Sequence, residues 1–261
     1  MSIVFDKEPF LLYNDDCFNI FPAIPDGSID MVVADLPFGV TRNPNDKLLP
    51  MTPLWEHYNR IVKPNGAIVL FGQGIFSAML MMSNPKDYRY SLIWKKGERV
   101  TGFLNSKKMP LRNHEDILIF YKKPPVYNPQ MTEGQPLHGV GKAVGKADMT
   151  NNNYGEWIRP ETDSRKGTTK KFPKSVLNFD RPHPPIHPTE KPVELMEWLV
   201  KTYSNEGDTV LDNCAGVFPT GVACVKNNRF YVGIEKQMEY WQIGVDRVLK
   251  AYKIPKQMEL L

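Results

Sequence analysis

The chain has 261 residues, of which 41% are hydrophobic and 24% are charged, and its formal net charge at pH 7 is +4. A chain of this size and composition is expected to bury one sizeable core, as one domain or as a domain with an insertion. No apolar run approaches the roughly 20 residues that a membrane helix needs, and the N-terminus lacks a signal-peptide core. We therefore expect a cytoplasmic protein with no membrane partner.

Positive charge is concentrated in the middle of the chain. Residues 95–181 contain 17 Lys and Arg against 9 Asp and Glu, a net charge of +8, which leaves −4 for the remainder. Because phosphate contacts supply most nonspecific affinity for nucleic acids, this distribution indicates a polyanionic partner. A solvated basic surface explains the charge alone equally well. The three cysteines, Cys17, Cys214 and Cys224, lack metal-ligand spacing, so we expect buried thiols and no metal site.

Strands and helices alternate along most of the chain. Apolar and β-branched runs predict strands at 10–13, 29–34, 67–71, 90–94, 116–121, 209–212 and 229–234. Helical spacing of apolar residues predicts helices at 54–62, 75–82 and 240–252, and others that start near 18, 193 and 219. For the helix near 193, Thr189 is the expected N-cap and Pro192 is expected in the first turn. This alternation is typical of an α/β protein.

Two stretches have no sustained period. The polar segment 40–53, with three prolines, has the length of a binding loop or lid. Residues 122–171 are rich in Pro, Gly, Asn, Thr and Lys, and aromatic residues such as Tyr154 and Trp157 lie among the basic ones. That mixture suits phosphate contacts and base stacking. A surface insertion without such a role is the alternative.

The run 32–39 combines a buried strand with an acid, a proline, an aromatic ring and a glycine. In an open parallel sheet, ligands bind beyond the carboxyl ends of the strands. Asp35 and Phe38, held by the intervening proline, would suit a planar, hydrogen-bonding ligand such as a nucleobase. An ordinary turn is the alternative interpretation.

Two later strands also end in an acid. Asp212 opens a strand–glycine–helix turn that contains Gly216, and Glu235 follows the next strand about 20 residues later. Such a layout suits a nucleoside, because the turn allows close backbone approach and a carboxylate accepts hydrogen bonds from ribose hydroxyls. The glycine patterns of dinucleotide-binding and nucleotide-phosphate loops are missing here. The pattern favours a nucleoside cofactor without phosphates.

These motifs together resemble the S-adenosylmethionine-dependent DNA amino-methyltransferases, in the group whose catalytic half precedes the cofactor half. Asp35-Leu36-Pro37-Phe38 resembles the catalytic Asp-Pro-Pro-Tyr/Phe element of that family. The other matches are Asn14-Asp15-Asp16-Cys17, the His-Glu-strand segment at 113–120, the His-Pro-Thr-Glu-Lys-Pro run at 187–192 and the cofactor loop at 210–221. They span residues 11–241 in the family's order.

The resemblance implies an α/β, Rossmann-like methyltransferase fold: a mostly parallel twisted sheet with helices on both faces and an inserted target-recognition region. It places the catalytic half at 1–123, the insertion at 124–171 and the cofactor-binding half at 172–261. The implied catalytic positions are Asp35, Leu36, Pro37 and Phe38. The implied cofactor-binding positions are Asp16, Cys17, Lys191, Asp212, Asn213, Cys214, Gly216 and Glu235, with Asp16 at the adenosine and Lys191 near the methionine end.

Under this resemblance the substrate is a base in double-stranded DNA, which must be flipped out because its edge is out of reach inside the duplex. Phe38 would stack on the base, while the Asp35 carboxylate and the carbonyl of Leu36 would accept hydrogen bonds from the exocyclic amine. Since the carbonyl does the bonding, leucine in place of the family's first proline is a minor departure. A homodimer and a cognate restriction endonuclease are further partners that the resemblance suggests.

Several alternatives stay open from the sequence. Asp rather than Ser at position 35 favours adenine N6 as the methyl acceptor, with cytosine N4 as the alternative. Phe218 replaces a glycine of the cofactor loop and either packs away from the cofactor or narrows its pocket. In the second case the chain would be a DNA-binding protein with a degenerate cofactor pocket. The long basic insertion disfavours an RNA or small-molecule methyltransferase.

Overall fold

A computed structural model of the chain describes residues 2–3, 9–40, 46–136, 167–186 and 190–253. The chain divides into two compact units, one formed by Met1–Asn128 with Ser175–Leu261 and the other by Pro129–Lys174. The second unit overlaps the predicted insertion at 124–171, and Tyr154 and Trp157 lie outside the described residues. Within the described ranges, no helix has the length and apolar character that crossing a membrane requires.

Eleven strands are described, and nine of them form one sheet in the first unit. They are β1 (Ser2–Ile3), β2 (Phe10–Tyr13), β3 (Ile29–Ala34), β4 (Val62–Gly72), β5 (Tyr88–Lys95), β6 (His114–Phe120), β7 (Thr132–Glu133), β8 (Lys170–Lys171), β9 (Val176–Asn178), β10 (Thr209–Asp212) and β11 (Phe230–Ile234). The order in the large sheet is β1-β2-β11-β10-β3-β4-β6-β5-β9. In the second unit, β7 and β8 pair antiparallel.

The centre of the large sheet is parallel. Strands β2, β11, β10, β3 and β4 run in one direction, whereas β6 is antiparallel to both β4 and β5. Along β3, Met31 and Val33 pack into one core while Val32 and Ala34 pack into the other. This alternation is expected of a strand buried on both faces. The predicted mostly parallel α/β sheet is confirmed.

Helices cover both faces of the sheet. They are α1 (Cys17–Ile20), α2 (Met51–Ile61), α3 (Ile75–Ser83), α4 (Val193–Tyr203), α5 (Pro219–Lys226) and α6 (Met238–Lys253), with short 3₁₀ turns at Phe21–Ala23 and Phe103–Asn105. Side chains of α4, α5 and α6 belong to the core that contains Met31, and those of α1, α2 and α3 to the core that contains Val32. Each helix buries one apolar stripe against the sheet, as packing requires.

The parallel strands bring their carboxyl ends to one edge of the sheet. The residues that follow these ends are Asn14, Asp35, Gln73, Asn213 and Glu235. Strand β6 begins at the same edge, because Asp116 pairs with Gly72 at the end of β4. We call this side of the sheet the carboxyl edge.

Helix α4 begins differently from the prediction. Its N-cap is Pro192, with φ −64° and ψ 138° and no side-chain hydrogen bond, so the expectation of Pro192 in the first turn is wrong. The ψ of 138° is extended and not helical, so the helix starts only at the residue after the proline. The predicted cap, Thr189, lies outside the described residues. Lys191 consequently precedes the helix, and its side chain reaches the end of β3.

Candidate active site

Asp35 is the first residue after β3, at the carboxyl edge. Leu36 beside it is buried and Pro37 is half-buried. Oδ2 of Asp35 accepts a hydrogen bond from Lys191 Nζ at 2.5 Å. Oδ1 is buried, and no hydrogen-bond partner reaches it among the described residues. Because an unpaired buried acceptor costs about 1–3 kcal/mol, this oxygen marks a place where a ligand N–H would bind.

The ring of Phe38 lies next to this carboxylate along the chain. It is half-buried and stacks on Phe76 of α3, with ring centroids 4.8 Å apart and an interplanar angle of 27°. The turn beyond the ring is held by Asp46, whose carboxylate accepts from the backbone N–H of Gly39 at 2.8 Å. One face of the ring is therefore supported by Phe76, and the part of the ring that stays exposed is what a planar ligand would contact.

Lys191 joins two carboxylates. Its Nζ lies 2.5 Å from Asp35 Oδ2 and 3.2 Å from Glu115 Oε2, and Oε1 of Glu115 accepts from Lys96 Nζ at 2.5 Å. The side chains of Lys96, Glu115, Lys191 and Asp35 are 4, 12, 5 and 21% exposed, respectively. We call these four alternating charges the charge row. In a buried row, removing one member leaves its neighbour uncompensated, so each charge depends on the next.

Aromatic rings enclose the two lysines of the row. Lys191 Nζ lies 4.9 Å from the ring centroid of Phe71 and 5.8 Å from that of Trp94, and Lys96 Nζ lies 5.3 Å from Trp94. The indole of Trp94 is fixed by a 2.8 Å hydrogen bond to the carbonyl of Phe179. Ring faces attract cations, so these rings offset part of the hydration that the two lysines lose, although burial still lowers the pKa of Lys96.

Burial and the neighbouring charges set the protonation of the row. Burial raises the pKa of Asp35, Lys191 opposes that rise and Glu115 adds to it. Burial alone would lower the pKa of Lys191, but the two carboxylates outweigh it and the pKa is raised. For Glu115 the two lysines outweigh burial, and the pKa is lowered. Lys191 thus stays protonated and favours the ionised form of Asp35.

The acids of the predicted cofactor side lie at the ends of β2 and β11. Glu235 accepts from the backbone N–H of Gly216 and of Gln237, both at 2.8 Å, one on each carboxylate oxygen. Asp16 is the N-cap of α1 and pairs with Lys236 at 2.9 Å. An open depression of about 670 Å³ is lined by Asn14, Asp15, Asp16, Phe18, Asn19 and Lys236. Asp16 and Glu235 are neighbours because β2 and β11 pair in parallel.

Other predicted cofactor residues hold the turn after β10. Asp212 accepts from Thr220 Oγ1 at 2.6 Å and from the backbone N–H of Cys214 at 3.2 Å. Asn213 accepts from the hydroxyl of Tyr58 at 2.6 Å. These side chains shape the turn from the core side, so a ligand at the turn would meet mainly its backbone.

The thiols are protonated at neutral pH. Cys17 and Cys224 are buried and Cys214 is half-buried, and all three are free. Burial raises the pKa of the Cys17 thiol to about 12 and raises the pKa values of Cys214 and Cys224 as well. Because the thiolate is the reactive form, these cysteines have a structural environment. Any contribution of Cys17 to a cofactor would come from its backbone at the start of α1.

The ring of Phe218 lies in the core and does not line the cofactor loop. It is the N-cap of α5 in the left-handed region, with φ 57° and ψ 44°. Its ring is fully buried and packs edge-on against Tyr231, with centroids 6.0 Å apart. A Cβ added at Gly244 of α6 would lie 2.6 Å from the ring. Of the two alternatives for Phe218, the structure has the ring packed away into the core.

The carboxyl edge fits an adenosine-type cofactor without phosphates. Gly216 has φ 53°, and a Cβ built there would meet nothing within 4 Å, so the backbone is open to a ligand. Each carboxylate oxygen of Glu235 accepts one N–H and keeps a further lone pair for ribose hydroxyls. Residues 212–218 include no Lys or Arg that would bind phosphates. These features agree with a nucleoside bound between Gly216, Glu235 and Asp16.

A family model described as DNA methylase, the N6/N4 group, matches residues 29–246. The chain belongs to this DNA methylase family. Members of this family are methyltransferases that use S-adenosylmethionine, so the predicted family, cofactor and general activity are confirmed.

The methylase is similar to two relatives in sequence. Type II methyltransferase M.BglII of Bacillus subtilis is 27% identical over 249 residues, which cover 89% of this chain and 67% of that protein. DNA adenine methyltransferase YhdJ of Escherichia coli (strain K12) is 24% identical over 265 residues, which cover 94% of this chain and 84% of that protein.

Solved structures of similar shape show the same fold. A complex of M1.HpyAVI with SAM matches with a TM-score of 0.60 and 21% identity, covering 91% of this chain and 99% of that one. The cytosine-N4-specific PvuII DNA methyltransferase matches with a TM-score of 0.65 and 15% identity, covering 95% and 89%. The Rossmann-like methyltransferase fold is therefore confirmed.

The sequence of this methylase alone predicted no role for two members of the charge row, Glu115 and Lys96. Glu115 lies in the segment matched at 113–120, and Lys96 follows a predicted strand. Their signal was an acid and a base at the adjoining ends of two apolar strands. That signal can be interpreted only once the antiparallel pairing of β5 with β6 is known, because this pairing brings Lys95 opposite His114.

Replacing Phe218 with alanine is expected to destabilise the methylase by about 3–5 kcal/mol, since a buried ring is lost from the core. The affinity of the folded protein for S-adenosylmethionine is expected to stay unchanged, because the ring does not line the loop. Urea unfolding and calorimetry measure the two quantities, and Phe218→Leu, which keeps most of the buried apolar volume, serves as the milder control. Lost affinity at unchanged stability would contradict the placement of the ring.

Replacing Asp212 with asparagine is expected to flatten the pH dependence of stability. Burial raises the pKa of Asp212 from 3.8 to about 7. The folded state therefore holds a proton that the unfolded chain releases, and stability is lost as pH rises from about 4 to about 7, by up to about 1.4 kcal/mol per pH unit. Urea unfolding at several pH values should show that the free energy of unfolding of the variant rises relative to that of the wild type as pH increases from about 4 to about 7. Parallel curves for the two proteins would contradict it.

Proposed function

We propose that this methylase transfers the methyl group of S-adenosylmethionine to the exocyclic N6 of adenine in double-stranded DNA. The observation that carries the proposal is the buried, unpaired Oδ1 of Asp35 next to the half-buried ring of Phe38. An ionised carboxylate only accepts hydrogen bonds, and an exocyclic amine presents N–H donors. The pair suits a planar base with an amino group.

The target base must leave the duplex to reach this site. Asp35 Oδ1 is buried at the carboxyl edge, and a base inside a stacked duplex cannot approach it. A flipped base would stack on the exposed part of the Phe38 ring, which rests on Phe76. Stacking of a base on an aromatic side chain contributes about 1–3 kcal/mol, which offsets part of the cost of unstacking.

Asp35 and Leu36 would orient the amine for transfer. Hydrogen bonds from its two N–H groups to Asp35 Oδ1 and to the carbonyl of Leu36 would draw the nitrogen lone pair out of conjugation with the ring. S-adenosylmethionine supplies an electrophilic methyl group on a sulfonium centre. On transfer the nitrogen would form one bond to the methyl carbon as the bond from that carbon to the sulfonium sulfur breaks, with its electron pair left on the neutral sulfur. The nitrogen would then release one proton, which the Asp35 carboxylate can accept. Positioning supplies most of the acceleration, and the protonated thiols agree with direct transfer.

Two observations support adenine as the acceptor. Position 35 is Asp rather than Ser, and a relative that aligns over most of the chain is a DNA adenine methyltransferase. Cytosine N4 is the second candidate, because the cytosine-N4-specific PvuII enzyme has the same fold. Both acceptors carry the exocyclic amine that the Asp35 site requires.

We assign target recognition to the basic insertion, 124–171, and base capture to the catalytic positions. Because M.BglII is a Type II methyltransferase, the proposal extends to a cognate restriction endonuclease that acts on the same DNA in the cytoplasm. A homodimer is the further assembly that we propose from the family resemblance.

The experiment is a transfer assay with a labelled methyl group. Purified protein is incubated with labelled S-adenosylmethionine and genomic DNA, which is then digested to nucleosides and separated. Label in N6-methyldeoxyadenosine is the expected result, and RNA serves as the control substrate. Label in N4-methyldeoxycytidine would overturn the adenine assignment, and label in RNA alone would overturn DNA as the substrate.

A further inference from the structure

The connection between β5 and β6 is a long exposed hairpin. Residues 97–112, which we call the edge hairpin, begin and end at the carboxyl edge. Thr101 and Arg112 close its stalk by two backbone hydrogen bonds, of 2.7 and 3.1 Å. Its tip is the 3₁₀ turn Phe103–Asn105. The hairpin is thus an ordered projection beside the active site.

The tip of the edge hairpin is apolar. Phe103 is 73% exposed and Leu104 is 83% exposed. Burying such a side chain gains about 1.5–3 kcal/mol, and clustered exposed apolar groups mark interaction sites. Val100, Met109 and Leu111 on the same hairpin are also exposed. A binding partner that covers the tip would recover this free energy.

Positive charge surrounds the apolar tip. Residues 97–112 contain four basic residues and one acid, Glu98, a net charge of +3. The basic residues are Arg99, Lys107, Lys108 and Arg112, and all four are exposed. An apolar tip with flanking cations matches a partner that has a phosphate backbone outside and stacked bases inside. Charge complementarity therefore favours duplex DNA as the partner.

The edge hairpin is hydrogen-bonded to the end of β4 and adjoins the charge row. Gln73, which follows β4, donates to the carbonyl of His114 at 2.9 Å and accepts from Arg112 at 2.9 Å. Lys96, which precedes the hairpin, and Glu115 on β6, three residues after it, belong to the charge row that ends on Asp35. Six residues lie between Lys96 and Phe103, so the tip lies within about 25 Å of the row. That reach is shorter than one turn of duplex DNA.

We propose that Phe103 and Leu104 enter the base stack of DNA at the place that the flipped nucleotide leaves. This inference rests on the proposed function, which requires an extrahelical base. Flipping leaves neighbouring bases unstacked, and apolar side chains inserted between base steps are a known way to fill such gaps. The cations on the hairpin hold the flanking phosphates, and the tip keeps the orphaned partner base from closing the gap.

The test compares two duplexes. Both carry the sequence that base-modification sequencing finds methylated, and in one of them the target base is mispaired and already partly open. Phe103→Ala is expected to lower kcat/KM on the paired duplex by about 10- to 100-fold, the range for loss of one stacking contact. The mispaired duplex is expected to recover most of this loss. Met82→Ala, at a 74% exposed position on α3, is the matched control and should methylate both duplexes normally.

A second variant tests the cations separately. Lys107→Ala combined with Lys108→Ala is expected to weaken binding to any duplex and to reduce the salt slope of binding by about 1 to 2. Because all of these positions are exposed, the stability of each variant should match that of the wild type. Urea unfolding checks this.

Three results would overturn the inference. Unchanged kinetics of Phe103→Ala on the paired duplex would show that the hairpin tip does not enter the base stack, and would leave the proposed function intact. Equal losses on both duplexes would show a general binding role instead of insertion at the flipped base. A wild-type protein that transfers no methyl group to any DNA would overturn the proposed function and, with it, the proposed insertion of Phe103 and Leu104.

Discussion

Replacing Asp35 with asparagine is expected to lower kcat by about 10²- to 10⁴-fold, the range for a positioned group that handles a proton. The amide keeps the shape of the side chain, but it loses the charge that Lys191 pairs with and one of its two acceptor oxygens. The affinity for S-adenosylmethionine is expected to survive, because the predicted cofactor acids, Asp16 and Glu235, lie beyond the ends of other strands, β2 and β11. Single-turnover methylation and calorimetry measure the two effects.

Asp116→Asn is the control for Asp35→Asn. Asp116 lies on β6 next to Glu115, and its carboxylate accepts from Ser77 Oγ at 2.5 Å, outside the charge row. The control variant should keep its kcat. Turnover by Asp35→Asn at the wild-type rate would remove Asp35 from the reaction, and equal losses in both variants would point to a general effect of lost charge.

Removing either Lys191 or Glu115, the two members of the charge row whose charges act most strongly on Asp35, is expected to shift the acid limb of the pH–rate profile, in opposite directions. Ionised Asp35 is the acceptor, so the rate falls as pH falls through its pKa. Lys191→Met removes the cation that lowers the pKa of Asp35, and the limb should move to higher pH. Glu115→Gln removes the anion that raises the same pKa, and the limb should move to lower pH. Shifts of about 1–3 pH units are typical of charges at these distances.

The opposite signs separate positioning from structural damage. Lys191→Met leaves two buried carboxylates less compensated and is expected to cost about 3–5 kcal/mol of stability. Unfolding is therefore measured alongside kcat/KM across the pH range. Glu115→Gln keeps the shape of the side chain, and Asp116→Asn should leave the limb in place. Shifts of the same sign in Lys191→Met and Glu115→Gln would contradict the coupling through Asp35.

Local pattern was enough to predict the strands and the acids at their ends. Each of β3, β10 and β11 is a short apolar run, and a strand buried on both faces needs such a run wherever it lies in the sheet. Asp212 is the last residue of β10, Asp35 and Glu235 follow β3 and β11, and parallel pairing brings these strand ends to one edge. The position of the site was therefore predictable before any contact was known.

The pairing of side chains across the chain was not predictable in the same way. Lys191 and Asp35 are 156 residues apart, and the resemblance suggested only that Lys191 lies near the methionine end of the cofactor. This contact depends on helix α4 starting after Pro192. The contact of Lys191 with Glu115 depends on β6 entering the sheet antiparallel between β4 and β5. Neither event leaves a periodic signal in the sequence.

Phe218 shows the same limit at one residue. A phenylalanine in a glycine position suggested either a narrowed pocket or a ring turned away, and the loop sequence favoured neither. The outcome depends on Gly244, whose missing side chain makes room for the ring, and on Tyr231, which packs against it. Both residues lie on other elements, so tertiary packing determines where the ring of Phe218 lies.

Base-modification sequencing of DNA from a host that expresses the protein tests the central claim most directly. The wild type is predicted to produce N6-methyladenine at one recurring sequence, and the Asp35→Asn variant, expressed to the same level, is predicted to leave that sequence unmodified. N4-methylcytosine from the wild type, or N6-methyladenine at the same sequence from the Asp35→Asn variant, would contradict the account.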